Sequence, residues 1–360
     1  MIRTLDTLLA DSNRPGLPEL RAVLAALLGE TAGRARLLQE ENLSRERVFR
    51  LRLQADDTIH SLVIKVLPVE RARREQMSIR RWLPRLGFER HAPRLLGVAA
   101  DRNGERVWHV YEDLPGGTLK ECAADRDAVR AAIDLIARLQ LAAVEQPLLS
   151  ECRLIGQDLG PQFFAASVRD AMRGLQALRK LQIADPARRE MVEQLLDRML
   201  DLQAESAERT RVFDALDWPE TLQHGDLWTT NVVMAREKRG PHAYLIDWDH
   251  AGVGPAIFDL STLLRHFPPH DRAWILDVYR SHVARAKWHW PNLGELDFLF
   301  ETAELARFAN CVTWCALAAT EDGRDAIPAW VFEDLADIDS WFRDLTPLMS
   351  TSRGSMGEAA

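Results

Sequence analysis

Gln223-His224-Gly225-Asp226-Leu227-Trp228-Thr229-Thr230-Asn231, followed downstream by Ile246-Asp247-Trp248-Asp249, is the stretch on which the reading of this 360-residue chain turns. Between the two segments, Asn231–Met234 and Ala243–Asp247 are short apolar runs around a polar turn, Arg236 to Pro241, a pattern that predicts a two-stranded ribbon. Asp226 and Asn231 then stand at the entrance to the ribbon and Asp247 at its exit. Taken singly, Asp and Asn beside turns are ordinary backbone caps. Taken together, with His224 and Gly225 ahead of them, they put on one ribbon a carboxylate able to accept a proton and two oxygen ligands for a hard cation.

Outward from the ribbon the pattern divides the chain in two. Upstream, Arg47 to Leu67 alternates apolar and polar residues, and the turn Gln54-Ala55-Asp56-Asp57-Thr58 splits it into strands Val48–Leu53 and Ile59–Leu67. Pro68 ends the second strand, and Glu70–Leu86 reads as a charged helix. Two more short strands, Arg94–Ala99 and Val107–Tyr111, flank the turn Asp101-Arg102-Asn103-Gly104. An amphipathic helix at Leu17–Leu28 precedes them and is expected to pack on this part. Beyond Pro115-Gly116-Gly117 helical spacing takes over, at Asp127–Val144, Gly160–Leu181, Pro186–Ala207, Ala256–Phe267, Asp271–Ala286, Leu296–Ala319 and Trp330–Leu345. The expectation is an α+β chain with a small, five-stranded antiparallel lobe over residues 1–113, a larger, mainly helical lobe over 114–349, and a frayed Ser/Gly/Ala-rich tail at 350–360.

Composition narrows the function classes. A hydrophobic content of 47% is that of a globular protein, which sets aside disordered and fibrous readings. Residues 1–113 carry 20 Lys+Arg against 16 Asp+Glu, and the remainder 26 against 38. The acidic total argues against a nucleic-acid binder, and the acidic second part reads either as solvated surface or as a field that draws in a cationic substrate. Met1 to Ala10 lacks the continuous apolar core of a secretory signal. The most apolar stretch, Leu305–Ala319, contains Arg307 and Asn310 and is too short to span a bilayer, so it is expected to be a core helix and no membrane partner is expected. Cys122, Cys152, Cys311 and Cys315 lack metal-ligand spacing with histidines and are read as reduced thiols of a cytoplasmic protein.

Phosphoryl transfer from ATP needs a carboxylate to receive the proton of an attacking hydroxyl and oxygen ligands for magnesium. Asp226 and Asn231 have the D-x-x-x-x-N spacing of a kinase catalytic loop, and Asp247 ends the next strand, where a metal-binding acid is required. In His224-Gly225-Asp226 through Asn231 and Ile246-Asp247-Trp248 the chain resembles the aminoglycoside phosphotransferase and choline kinase family, which has a protein-kinase-like bilobal fold. The resemblance runs from about residue 40 to 345.

That resemblance implies a set of site residues. Asp226 would be the catalytic base, and Asn231 and Asp247 the magnesium ligands. Lys65, in Leu62-Val63-Ile64-Lys65-Val66, would grip the ATP phosphates and Glu75 in the following helix would pair with it, Glu70 being the rival partner. Val110 to Leu119 looks like the hinge between lobes, where Glu112 through its carbonyl and Leu114 through its N–H would read adenine. The stretch Glu41 to Val48 stands where the family has a glycine-containing loop over the phosphates, and here only Ser44 offers a small polar residue. Asp259, in Gly254-Pro255-Ala256-Ile257-Phe258-Asp259-Leu260, would brace the catalytic loop.

Alternatives are weighed by the same residues. Gly252-Val253-Gly254 is not a dinucleotide motif, because position 257 is isoleucine and no βαβ unit surrounds it, and the chain contains neither G-x-x-x-x-G-K-[ST] nor H-E-x-x-H. A protein kinase is opposed by Gly225 in place of the arginine of H-R-D and by the missing A-P-E. A silent kinase-fold binding protein is opposed by the presence of Lys65, Asp226, Asn231 and Asp247 together. The substrate is expected to be a small hydroxyl compound. Glu301, Glu304 and the C-terminal tryptophans Trp274, Trp288, Trp290, Trp314, Trp330 and Trp341 read either as a cage for a cationic amine or as surface acids and core aromatics. Aminoglycoside, amino sugar, sugar and amino alcohol stay open, since Gly225-Asp226-Leu227-Trp228 also occurs in sugar-amine kinases.

Overall fold

A computed structural model describes residues 8, 14–44, 47–216, 218–238, 240–286, 288, 290–320 and 327–349. The tail expected at 350–360 and most of the first ten residues lie outside them. The chain divides into two compact units, residues 1–157 with 224–252, and residues 158–223 with 253–360.

The first unit opens with α1 (Leu17–Leu28), then β1 (Arg36–Ser44), β2 (Val48–Ala55) and β3 (Thr58–Pro68). α2 (Val69–Met77) continues through a π turn, Ser78–Trp82, into α3 (Leu83–Leu86), and β4 (Leu95–Ala100) and β5 (Arg106–Glu112) follow. The five strands form one antiparallel sheet in the order β1-β2-β3-β5-β4. Strand side chains alternate between faces, so the register assigns each residue to one side. One face carries Leu51, Leu53, Ile64, Trp108 and Val110, which bury the α1 residues Leu17, Leu20, Leu24 and Leu28. Leu20 and Leu24 are fully enclosed, and each such burial contributes about 1.5–3 kcal/mol. The other face carries Lys65 and Leu67 of β3 with Val107, His109 and Tyr111 of β5, and Ala72 of α2 packs on its apolar end at Leu67 and Val107.

The same unit holds β6 (Gly117–Thr118), α4 (Arg126–Ala143), α5 (Leu148–Ile155) and, after an excursion of the chain, β9 (Val232–Glu237) and β10 (Gly240–Leu245). Asp125 caps α4 by accepting from the N–H groups of Asp127 and Ala128 at 3.0 and 3.3 Å. Strands β9 and β10 form the expected ribbon, which β6 extends to a three-stranded sheet. Short strands β7 (Gln157–Asp158), β8 (Thr221–Gln223) and β11 (Gly252–Gly254) mark the passages between units.

The second unit is helical: α6 (Phe163–Arg179), α7 (Pro186–Asp214), α8 (Ile257–Arg265), α9 (Pro269–Val283), α10 (Leu293–Thr320) and α11 (Ala329–Arg343). Helices α6 and α10 approach closely at Gly174, where an added Cβ would lie 2.7 Å from that of Ala316. The protein-kinase-like expectation of an antiparallel five-stranded sheet followed by a mainly helical part holds. No helix among the described residues is long and apolar enough to cross a membrane.

Three readings need correction. The stretch Glu41–Ser44 is still strand, because polar residues suffice on an edge strand whose partner β2 supplies the buried face; the turn reduces to Ser44–Arg47, with Arg45 and Glu46 outside the described residues. Of the six C-terminal tryptophans Trp288 is buried, Trp274, Trp290 and Trp341 are half-buried, and Trp314 and Trp330 are 41% and 37% exposed, so a core reading fails for the last two. Glu304 is not a surface acid: it is enclosed by the Ser261 and Thr262 hydroxyls at 3.1 Å and by Arg307 and Arg265 at 2.7 and 3.3 Å. Glu301 is engaged by Arg209 at 2.6 Å. The charges of both acids are thus met within the fold.

Candidate active site

Position 65 is fixed by the sheet. Lys65 pairs with Val48 on one side, itself opposite Ser44, and with His109 on the other, so Ser44, Val48, Lys65 and His109 form one row across four strands. Helix α2 crosses this face and brings Glu75 over the row. Lys65 Nζ donates to Glu75 Oε2 at 3.1 Å, contacts Asp247 Oδ1, and lies 3.7 Å from Asp249 Oδ2. Glu70, the rival partner, is exposed at the start of α2.

Electrostatics follow from burial and from these neighbours. Burial works against the Lys65 ammonium, yet Asp247, Glu75 and Asp249 outweigh it and raise its pKa. Burial likewise opposes ionisation of Glu75 and Asp247, but Lys65 holds both below the usual carboxylate range. Asp249 goes the other way: burial, then the neighbouring Asp247 charge, raise its pKa well above the ordinary value. Asp247 nevertheless keeps 35% of its side-chain surface open, enough for a ligand to reach.

Asp247 occupies left-handed backbone space at φ 68°, ψ 58°, at the end of the ribbon. For a non-glycine residue that conformation costs about 1–2 kcal/mol and is kept where the surroundings impose it. Here Trp248 does so, fully buried with its indole N–H donating to the Leu245 carbonyl at 3.0 Å and its ring 4.6 Å from that of His224. His224 Nε2 bonds the Ile246 carbonyl at 2.8 Å, and burial lowers its pKa to about 4, so the ring is uncharged and donates that hydrogen bond. The His224 end of the loop is thereby clamped to the residue before Asp247.

The other end is clamped as well. Asn231 donates from Nδ2 to the Asp226 carbonyl at 2.8 Å and to Asp226 Oδ2 at 3.1 Å. Its backbone carbonyl accepts from the Ile246 N–H at 3.0 Å, and its N–H donates to Trp228 at 2.8 Å. The amide nitrogen of Asn231 is committed to Asp226, and Oδ1 is the atom left for a hard cation. Gly225 makes the turn at φ 80°, with the His250 carbonyl packed where a side chain would start.

Ser44, Glu112 and Leu114 stand apart from the carboxylates. Ser44 ends β1, exposed, two strands from Lys65 and so roughly 10 Å away, with its carbonyl accepting from the Arg47 N–H at 2.7 Å. Glu112 ends β5 and its carboxylate takes the Arg94 N–H and Nε at 2.9 and 2.8 Å, which leaves the side chain occupied and the backbone to do any reading. Asp113, before Leu114, is held by Ser61 at 2.6 Å and Arg50 at 3.0 Å. Asp259 is buried on α8 in the second unit, its N–H donating to Gln223 Oε1 at 3.4 Å.

Several participants are not signalled by the motif. Arg74 on α2 donates to the Asp249 carbonyl at 2.6 Å, and Arg71 lies 3.7 Å from its carboxylate, so the helix that carries Glu75 also holds the loop after Asp247. His109 and Tyr111 lie on the Lys65 face of β5, joined to one another at 2.7 Å. Their i,i+2 spacing in an apolar strand was the available signal.

The sequence of residues 14–296 matches the model of a family described as APH, phosphotransferase enzyme family. Among solved structures, an ethanolamine kinase from Plasmodium vivax superposes with a TM-score of 0.62 at 13% identity, over 93% of this chain and 92% of that one. Aminoglycoside phosphotransferase APH(3'')-Id from Streptomyces rimosus, in complex with ADP and streptomycin, gives 0.52 at 17% identity, over 81% and 99%. The GDP complex of aminoglycoside 2'-phosphotransferase-IIIa gives 0.55 at 15% identity, over 89% and 97%. No curated protein matches the sequence.

Proposed function

The chain belongs to the phosphotransferase enzyme family, and from that premise we propose that it transfers a phosphoryl group from ATP, as its magnesium complex, to a hydroxyl of a small molecule. The observation that carries this reading is the convergence of Lys65, Glu75 and Asp247 beside a ribbon whose entrance holds Asp226 and Asn231. The donor set fits the metal: an ionised, partly open carboxylate on Asp247 and the free Oδ1 of Asn231 are two hard oxygens, the number magnesium usually takes from protein when phosphates and water complete its shell. When bound, magnesium would neutralise charge on the transferring phosphates.

The chain's own groups then have separable tasks. Asp226, oriented by the Asn231 amide, accepts or orients the proton of the substrate hydroxyl. Lys65, steadied by Glu75, grips the ATP phosphates. Glu112 and Leu114 offer backbone groups to the adenine, and Ser44 sits at the turn over the phosphates. Relatives of this fold solved with ADP, with GDP and with streptomycin support a nucleotide and a small hydroxyl-bearing substrate. Aminoglycosides, amino sugars and amino alcohols are the acceptor classes to which the reading extends. The free thiols of Cys122 and Cys152 suit a reducing compartment such as the cytoplasm.

A nucleotide-consumption screen tests the reading, with ATP and GTP each offered alongside aminoglycosides, amino sugars, sugars, choline and ethanolamine. Turnover of at least one small alcohol, dependent on magnesium, is expected. Phosphorylation of a protein or peptide at a higher kcat/KM than any small molecule would overturn it.

A further inference from the structure

Glu75 is held from behind. Its carboxylate is buried, accepts from Lys65 Nζ at 3.1 Å on one side, and on the other lies 3.6 Å from His109 Nδ1, the nitrogen that the Tyr111 hydroxyl also meets. His109 is itself fully enclosed, with Nδ1 2.7 Å from the Tyr111 oxygen and Nε2 3.2 Å from the amide nitrogen of Gln76, the next residue on α2.

The direction of each hydrogen bond follows from the donor inventory. Gln76 Nε2 can only donate, so His109 Nε2 accepts. His109 Nδ1 therefore carries the ring hydrogen and donates to the Tyr111 oxygen. The Tyr111 hydrogen is then left for Glu75, consistent with a phenol whose pKa is raised well above its ordinary value by burial and by the Glu75 charge. The chain Gln76, His109, Tyr111, Glu75, Lys65 is thus polarised in one sense toward the carboxylate, with Lys65, Glu75, His109 and Tyr111 buried and Gln76 half-buried.

Such a chain matters because Lys65 has competing partners. It touches Asp247 as well as Glu75, and Asp247 is the carboxylate proposed to hold the metal. A Glu75 carboxylate that could swing or take another partner would leave Lys65 to Asp247. We propose that Tyr111 and His109 are positioning residues of the nucleotide site: by completing the chain they fix Glu75 and so set how Lys65 divides between Glu75 and Asp247. This rests on the reading of Lys65 as the phosphate-gripping cation. Neither residue is expected to touch nucleotide through the groups described, so both act through Glu75.

The test compares Tyr111→Phe, His109→Leu and His109→Asn with Glu75→Gln as reference. Each is assayed for kcat, for KM toward ATP over a magnesium titration, for ATP binding by calorimetry with and without magnesium, and for thermal unfolding. Tyr111→Phe keeps the ring and loses only the hydrogen bond; it should raise the KM for ATP and the magnesium concentration for half-maximal binding by about tenfold, the size expected of a hydrogen bond to a charged group, with kcat within about threefold. His109→Leu should do the same, and His109→Asn, whose amide can donate from near the Nδ1 position, should recover most of the loss. A merely structural role would lower the unfolding temperature without moving the magnesium dependence. If Tyr111→Phe and His109→Leu leave KM and magnesium dependence unchanged while Glu75→Gln raises both, the positioning role is wrong and the parent reading stands. If Glu75→Gln and Lys65→Met also leave nucleotide binding unchanged, the parent reading falls and this proposal with it.

Discussion

Gly225→Ala separates the geometry of the catalytic loop from its chemistry, because it removes no functional group. Gly225 sits at φ 80°, and a methyl group there would lie 2.8 Å from the carbonyl carbon of His250, 3.3 Å from its Cβ, and deep inside contact with its carbonyl oxygen. Left-handed backbone at a non-glycine residue costs about 1–2 kcal/mol. The overlap is with backbone, so no side-chain rotation relieves it, and the turn Trp248–His250 must move. That turn follows Asp247 directly, as Gly225 directly precedes Asp226, so relief at either end displaces a proposed site residue. A combined destabilisation of about 3–5 kcal/mol is expected, at the upper end of single substitutions, or a fall of roughly 4–7 °C in unfolding temperature for a chain of this size. Thermal unfolding and turnover, measured on the same preparation, check it. A variant within 1 °C and twofold of the parent would show that the loop does not pack as described.

Other perturbations probe single groups. Asp226→Asn should lower kcat by about 10²–10⁴ while nucleotide binding stays near normal, since the acid is proposed to act on the substrate proton; near-normal turnover with lost ATP affinity would sink the assignment. Asp247→Ala should abolish turnover and remove the magnesium dependence of nucleotide binding, read by calorimetry, because the metal loses its charged protein ligand; undiminished magnesium dependence would refute the ligand role. Stability should fall in mild acid. His224 has a folded pKa of about 4 against 6.5 in the unfolded chain, so above pH 6.5 both states are neutral there and below it only the unfolded state takes the proton. Stability contributed by the neutral ring is therefore full above pH 6.5 and lost progressively down to pH 4, by about 3 kcal/mol. Denaturant unfolding at pH 7.5, 5.5 and 4.5 measures the slope, which His224→Gln should flatten; an unchanged slope would place the acid sensitivity elsewhere, with His250, lowered by burial to about 3, the next to test.

How much of this was legible in the sequence depended on distance along the chain. The ribbon could be read because its parts are local: the apolar runs pair across a short turn, and Asp226, Asn231 and Asp247 lie at its ends. The sheet was readable where strands are half-buried, as in Val48–Ala55, and misread at its edge, where β1 buries little beyond Leu37 and so shows no alternation. The helix expected over Glu70–Leu86 is continuous, yet its π turn at Ser78–Trp82 leaves no mark on a hydrophobic pattern.

What the sequence withheld is the electrostatics, and the reason is register. Lys65 and Asp247 are 182 residues apart, and nothing in either neighbourhood states that they touch. Once β3 and β5 are paired with Lys65 opposite His109, the rest becomes constrained: residues two steps away share the face, so Tyr111 lies on the lysine's side, and a helix crossing that face presents its i and i+1 positions, Glu75 and Gln76, to the ammonium and the imidazole. A shift of one residue would turn Lys65 into the α1 core, where no carboxylate waits for it, and would cost the desolvation of an unpaired ammonium. The pairing register is therefore specified twice, by the leucines under α1 and by the acids that face Lys65, Glu75 from α2 and Asp247 from the end of the ribbon. A buried charge cluster of this kind secures the site's geometry more than the sheet's stability.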